Sequence, residues 1–147
     1  MWNTFLKSSI ISIFFSKMNK ASGARLHVSK SQERLVNFRV VFIMGTVKST
    51  CLAFRLLSTQ IRQHVYISPS EPSEMSKVLV PRDLVAYLIG KGGSVIKRIE
   101  RSTSTRIQLI NESAEGRSYE AYGRVVSICG SVTNCASAAY YLTRRVS

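Results

Sequence analysis

Two short apolar rhythms meet at one tetrapeptide. Leu88-Ile89 closes the first, Gly90-Lys91-Gly92-Gly93 interrupts, and Val95, Ile96 and Ile99 begin the second. The spacing after the glycines is that of a helix face, so the tetrapeptide joins the end of one helix to the start of another. Glycine has no Cβ, so backbone amides in such a loop can approach another molecule closely. The N-terminus of the following helix favours negative charge, and Lys91 adds a cation at the loop tip. An anion is expected here, and the backbone of a nucleic acid is the anion that best suits the whole chain.

The charge balance supports that choice. Lysine and arginine total 21 against 8 acidic residues, a net charge of +13. Such an excess suits a nucleic-acid or anionic-membrane partner far better than a cationic one. A chain of 147 residues has room for one domain or two small ones, and an apolar fraction of 45% suits a packed core. Cys51, Cys129 and Cys135 show no C-x-x-C spacing, and His27 and His64 are far apart, so no metal site and no cofactor are expected. The thiols read as reduced and partly buried residues of an intracellular protein.

Residues 1–20 form an atypical N-terminal segment. Its apolar run, Ile10 to Phe15, is much shorter than the roughly 20 residues a membrane span needs, so no membrane partner is expected. Lys7, Lys17 and Lys20, several serines and no acidic residue before Glu33 would suit a mitochondrial presequence. Presequences are usually rich in arginine, and the first arginine is Arg25, so nucleus or cytoplasm is the expected location.

Two stretches of the chain resemble each other. Ser22-Gly23-Ala24-Arg25-Leu26 parallels Thr103-Ser104-Thr105-Arg106-Ile107, and Phe38-Arg39-Val40-Val41 parallels Gly123-Arg124-Val125-Val126. Gly45 matches Gly130, and Leu57 and Ile61 match Leu142 and Val146 on the helices that follow. In this register Met18 falls opposite Ile99, and the glycine loop would fall on Ser9 to Ser12, where no glycine stands. Residues 21–66 are therefore expected to be the back half of a repeat lacking the loop. Residues 67–76, rich in serine, proline and glutamate, read as a linker, and 77–147 as the complete unit.

In the complete unit, Lys77 to Val80 reads as a strand ended by Pro81, and Asp83 can cap a helix running to Ile89. After the loop come a helix from Ser94 to about Arg101 and a strand from Arg106 to Ile110. A long polar loop, a strand from Arg124 to Cys129 and a helix from about Val132 follow. The order is β-α-α-β-β-α, an α+β unit in which a three-stranded antiparallel sheet carries three helices on one face.

Val80-Pro81, Leu88 to Gly93 with Ile96, Thr105 to Leu109, Arg124 to Val126 and Tyr141-Leu142 together resemble a KH domain of the type I arrangement. They are most similar to the Nova and poly(C)-binding subgroup. The resemblance implies that Gly90, Lys91, Gly92 and Gly93 clamp the backbone of a single strand, RNA or DNA, with Ser94 at the loop's end. It implies that Ala86, Tyr87, Ile89 and Ile96 line a base groove with Ile107 on its strand side, and that Lys91 and Lys97 lie near phosphates. It places Arg106 and Arg124 where relatives read cytosine, whose ring-nitrogen and carbonyl acceptors suit a guanidinium. Ala86 stands where such domains often have glycine, and Tyr87 where a smaller residue is common. Arg25 and Arg39 hold the same reading positions in the first copy.

The implied function is recognition of short C- or pyrimidine-rich single-stranded RNA, serving splicing, stability or translation of messenger RNA. The alternative is a protein-interaction or dimerisation module, associating through the sheet or the last helix. A nucleophile–base pair, a metal cluster and paired carboxylates are all missing from the sequence pattern, so an enzyme is not expected.

Overall fold

A computed structural model describes residues 8–28, 40–64, 75–110 and 123–146. The chain divides into two compact units after Leu57. Arg39, residues 65–66 at the end of the expected partial repeat, residues 67–74 of the expected linker and the polar loop at 111–122 lie outside the described residues.

In the second unit, β3 (Met75–Val80), α3 (Arg82–Ile89), α4 (Ser94–Thr103), β4 (Arg106–Leu109), β5 (Arg124–Cys129) and α5 (Val132–Val146) follow in the expected order. A 3₁₀ turn at Lys91–Gly93 joins α3 to α4. The sheet is antiparallel with order β3-β5-β4, so β5 pairs on both sides. Its buried run Val125 to Ile128 accounts for that central position, since it packs as a strand without an exposed face. Ile128, Cys135 and Ala138 are completely buried, with Leu88, Ile99, Ile107 and Leu142 around them. Small residues on α5 let the helix lie close on β5. The Cys135 thiol donates to the Ile128 carbonyl oxygen at 3.3 Å, which satisfies it in the core.

Two local expectations are corrected. Asp83 does not cap α3, because the helix begins at Arg82 with Pro81 in the capping position and no side-chain cap bond. Proline's fixed φ makes it a suitable residue to enter a helix, and Asp83 instead stands in the first turn, where its charge opposes the helix dipole favourably. The expected linker end at Ser76 is also too late. Met75 and Ser76 pair with Cys129 and Ile128 and extend β3.

The first unit contains α1 (Ser8–Ser22), β1 (Arg25–Val28), β2 (Val41–Met44) and the start of α2 (Val47–His64). Helix α1 runs unbroken through the positions where the repeat register would put a loop. Elsewhere the two units repeat each other's bonds. The Leu26 amide donates to Asn19 Oδ1 at 3.1 Å, as the Ile107 amide donates to Glu100 Oε1 at 2.7 Å. Gly23 and Ser104 both take positive φ after their helices. Arg25 pairs with Met44 as Arg106 pairs with Cys129. Thr46 Oγ1 accepts from the Ser49 amide at 3.2 Å, and Ser131 Oγ from the Asn134 amide at 3.1 Å, each capping the helix that follows. Ala53 and Ala138 are both fully buried on those helices.

Helix α2 crosses the boundary between the units, whereas the sequence places it wholly in the first. The reason is Arg62, which belongs to the second unit. Its Nη1 donates to the Gly130 carbonyl oxygen at 2.9 Å and its Nη2 to Ser76 Oγ at 3.2 Å.

Candidate nucleic-acid interface

The loop is built from three glycines in conformations that side chains disfavour. Gly90 has φ 74 and ψ 172, a region essentially confined to glycine, while Gly92 and Gly93 are left-handed at φ 62 and 75. The Gly90 amide continues α3 by donating to the Ala86 carbonyl oxygen at 3.0 Å, and the Gly93 amide closes the turn on the Gly90 carbonyl oxygen at 3.2 Å. The positions differ in what surrounds them. A Cβ on Gly90 would stand 2.5 Å from Val95 Cγ2, whereas one on Gly92 would meet nothing within 4 Å. Gly90 thus lets α3 and α4 close on each other, and Gly92 leaves the outer side of the loop open to an approaching backbone. Lys91 and Ser94 are exposed on either side of it.

Behind the loop, α3, α4 and the sheet leave a small apolar pocket with room for about one water. Val85, Leu88 and Ile89 of α3 face Ile96 of α4, with Leu109 and Val126 as its floor on the sheet. Ile89 and Ile96 are brought together there as the sequence implies. Ile107 is not part of the lining; it lies against α4, its amide donating to Glu100 Oε1 at 2.7 Å. Leu109, two residues on and of the same strand parity, lines the pocket in its place. That substitution follows from strand alternation, which puts both residues on the helix-facing side. Ala86 is exposed and outside the pocket lining.

The basic residues are spread over the loop, α4 and the sheet. Lys91, Lys97, Arg98 and Arg101 are all exposed on the loop and α4. Arg101 is anchored on its own helix, Nε donating to the Lys97 carbonyl oxygen at 3.3 Å. Arg124 is half-buried and opposite Val80, so it shares the helix-facing parity of Val126. Arg106 pairs with Cys129 at the other end of β5 and takes the alternate face. With the Gln108 amide turned so that its oxygen faces the arginine, that oxygen accepts from Arg106 Nε at 3.2 Å and Nη2 at 3.1 Å. The two arginines therefore stand on opposite faces of the sheet, at opposite ends of β5.

Tyr87 does not line the pocket. It is 51% exposed on the side of α3 away from Leu88 and Ile89, and the Arg145 guanidinium lies 4.2 Å from its ring centroid. Arg145 Nε also donates to the Tyr87 carbonyl oxygen at 3.1 Å. Sequence reasoning missed Arg145, since nothing in a terminal Arg-Arg pair indicates which helix it lies against.

Among the described residues no group of histidine, cysteine and acidic side chains could hold a metal. Nor is any helix among them long and apolar enough to cross a membrane.

Residues 75–144 match the KH domain family. The RNA-binding protein Pasilla of Drosophila melanogaster is 24% identical over 131 residues, a match that covers 81% of this chain and 16% of Pasilla.

Proposed function

From the KH domain at residues 75–144, we propose that this chain binds single-stranded RNA through the loop Gly90 to Gly93 and acts by binding rather than catalysis. The observation that carries the reading is the open side of Gly92, flanked by exposed Lys91 and Ser94, above an apolar pocket. Phosphates can approach the loop amides and the α4 N-terminus, while bases turn inward against Ile89 and Ile96. Pasilla's name as an RNA-binding protein supports the same partner.

The preferred target is C- or pyrimidine-rich, in a transcript whose splicing, stability or translation the protein adjusts. Support for the base preference comes from Arg124, which stands opposite Val80 on the helix-facing side of the sheet and has donors that suit cytosine's acceptors; Arg106 enters only through the resemblance, since it lies on the other face. Residues 21–66 are the back half of a second such domain without the clamp. The shared bonds of the two units support this, as does a match to Pasilla covering 81% of the chain, more than the family match at 75–144 accounts for.

Selection from a random single-stranded RNA pool tests the proposal. Enrichment of short C-rich sequences is the expected result, and a pool left unenriched after repeated rounds overturns it. If Arg124 and Arg106 read bases, Arg124→Ala and Arg106→Ala each narrow the affinity gap between C-rich and A-rich oligonucleotides, by about tenfold for one lost base contact.

A further inference from the structure

Tyr87 and Arg145 form a feature that neither the clamp nor the pocket uses. They come from α3 and α5, yet a ring–guanidinium stack at 4.2 Å and a hydrogen bond of 3.1 Å to the Tyr87 carbonyl oxygen hold them together at the surface. That bond uses only Nε. The two terminal nitrogens of Arg145, with four N–H donors, make no hydrogen bond among the described residues. One face of the Tyr87 ring lies under the guanidinium, and the residue as a whole is 51% exposed, so the ring is accessible from solvent beside the cation. Tyr87 also stands four residues before Lys91, so this shelf adjoins the loop.

Packing alone explains the carbonyl bond, which pins the last turn of α5 to α3. It does not account for an accessible aromatic ring beside a fixed cation with unused donors. That pair is what one nucleotide needs: a flat surface for the base and donors for its phosphate. We infer that Tyr87 and Arg145 take one further nucleotide of the bound single strand, outside the pocket and adjacent to the clamp, its base stacked on the Tyr87 ring and its phosphate on Arg145. The inference rests on the RNA-binding reading above. Stacking tolerates any base, so this position lengthens the footprint without adding sequence preference.

The test compares a C-rich tetranucleotide with the same sequence extended by one nucleotide at each end, in fluorescence titrations with the full chain. Wild type is expected to gain about tenfold from the extension. Arg145→Ala should bind the tetranucleotide as wild type does and lose most of that gain, and Tyr87→Ala should also lose it. Tyr87→Phe, which keeps the ring, should retain it, which separates stacking from any role of the hydroxyl. Replacing the bases of the two added nucleotides by abasic sites should reduce the gain in wild type. Equal affinity of wild type for both oligonucleotides, or a full gain in Arg145→Ala, overturns this inference alone. Binding of neither oligonucleotide overturns the RNA-binding reading and the inference with it. If Arg145→Ala loses its native circular dichroism, the comparison of Tyr87→Ala with Tyr87→Phe still decides the matter: an equal gain from the extension in both overturns the inference.

Discussion

Gly90 and Gly92 are glycine for different reasons, and the difference can be measured. At Gly90 both the backbone conformation and Val95 Cγ2 oppose a side chain. Gly90→Ala should lower stability by about 1–3 kcal/mol, read as an earlier midpoint in urea unfolding, because strained φ/ψ and a forced shift of Val95 combine. At Gly92 only the left-handed φ matters, and aspartate tolerates that conformation. A charged residue there should leave the fold intact and repel phosphate. The loop was legible in the sequence because a plain helix–helix turn needs fewer glycines than three and gains nothing from a lysine at its tip. The separate roles of the glycines were not legible, since the distance to Val95 depends on how α3 and α4 close. The surroundings of Ile107 are not legible in the sequence for a related reason. Its strand was recognised, but whether a strand residue faces a pocket or lies under a helix depends on the α4 contact above it.

The elements repeat at the level of single bonds. A helix end sets a side-chain oxygen on the first strand, two strands pair in the same register, and a hydroxyl caps the next helix. Ser131→Ala should cost about 1 kcal/mol by removing the α5 cap, seen as a lower denaturation midpoint of the second unit. Ile128→Ala should cost about 2–5 kcal/mol, because the side chain is completely enclosed and its loss leaves a cavity under α5. Apolar periodicity made these elements legible, β5 and the start of α5 to the residue. What it could not show was which unit owns the end of α2. That depends on Arg62 bonding to Gly130 and Ser76, partners distant in sequence and without a motif. The stack of Arg145 on Tyr87 was hidden in the same way.

Across the whole molecule, a net charge of +13 attracts polyanions in general, so affinity alone does not demonstrate a clamp. Salt dependence separates the two. A clamp holding about four phosphates of a single strand predicts a slope of about −3 in log affinity against log salt, and diffuse attraction by the whole chain predicts a steeper one. An apolar protein–protein contact would show little slope. The direct test of the central claim, that Gly90 to Gly93 is the phosphate clamp, is a titration of a C-rich single-stranded RNA with wild type and with the double variant Lys91→Asp, Gly92→Asp. Circular dichroism of both proteins is recorded alongside. Wild type should bind saturably and the variant should bind at least a hundredfold more weakly, with unchanged spectra. A variant that keeps its native spectrum and binds as tightly as wild type would contradict that claim.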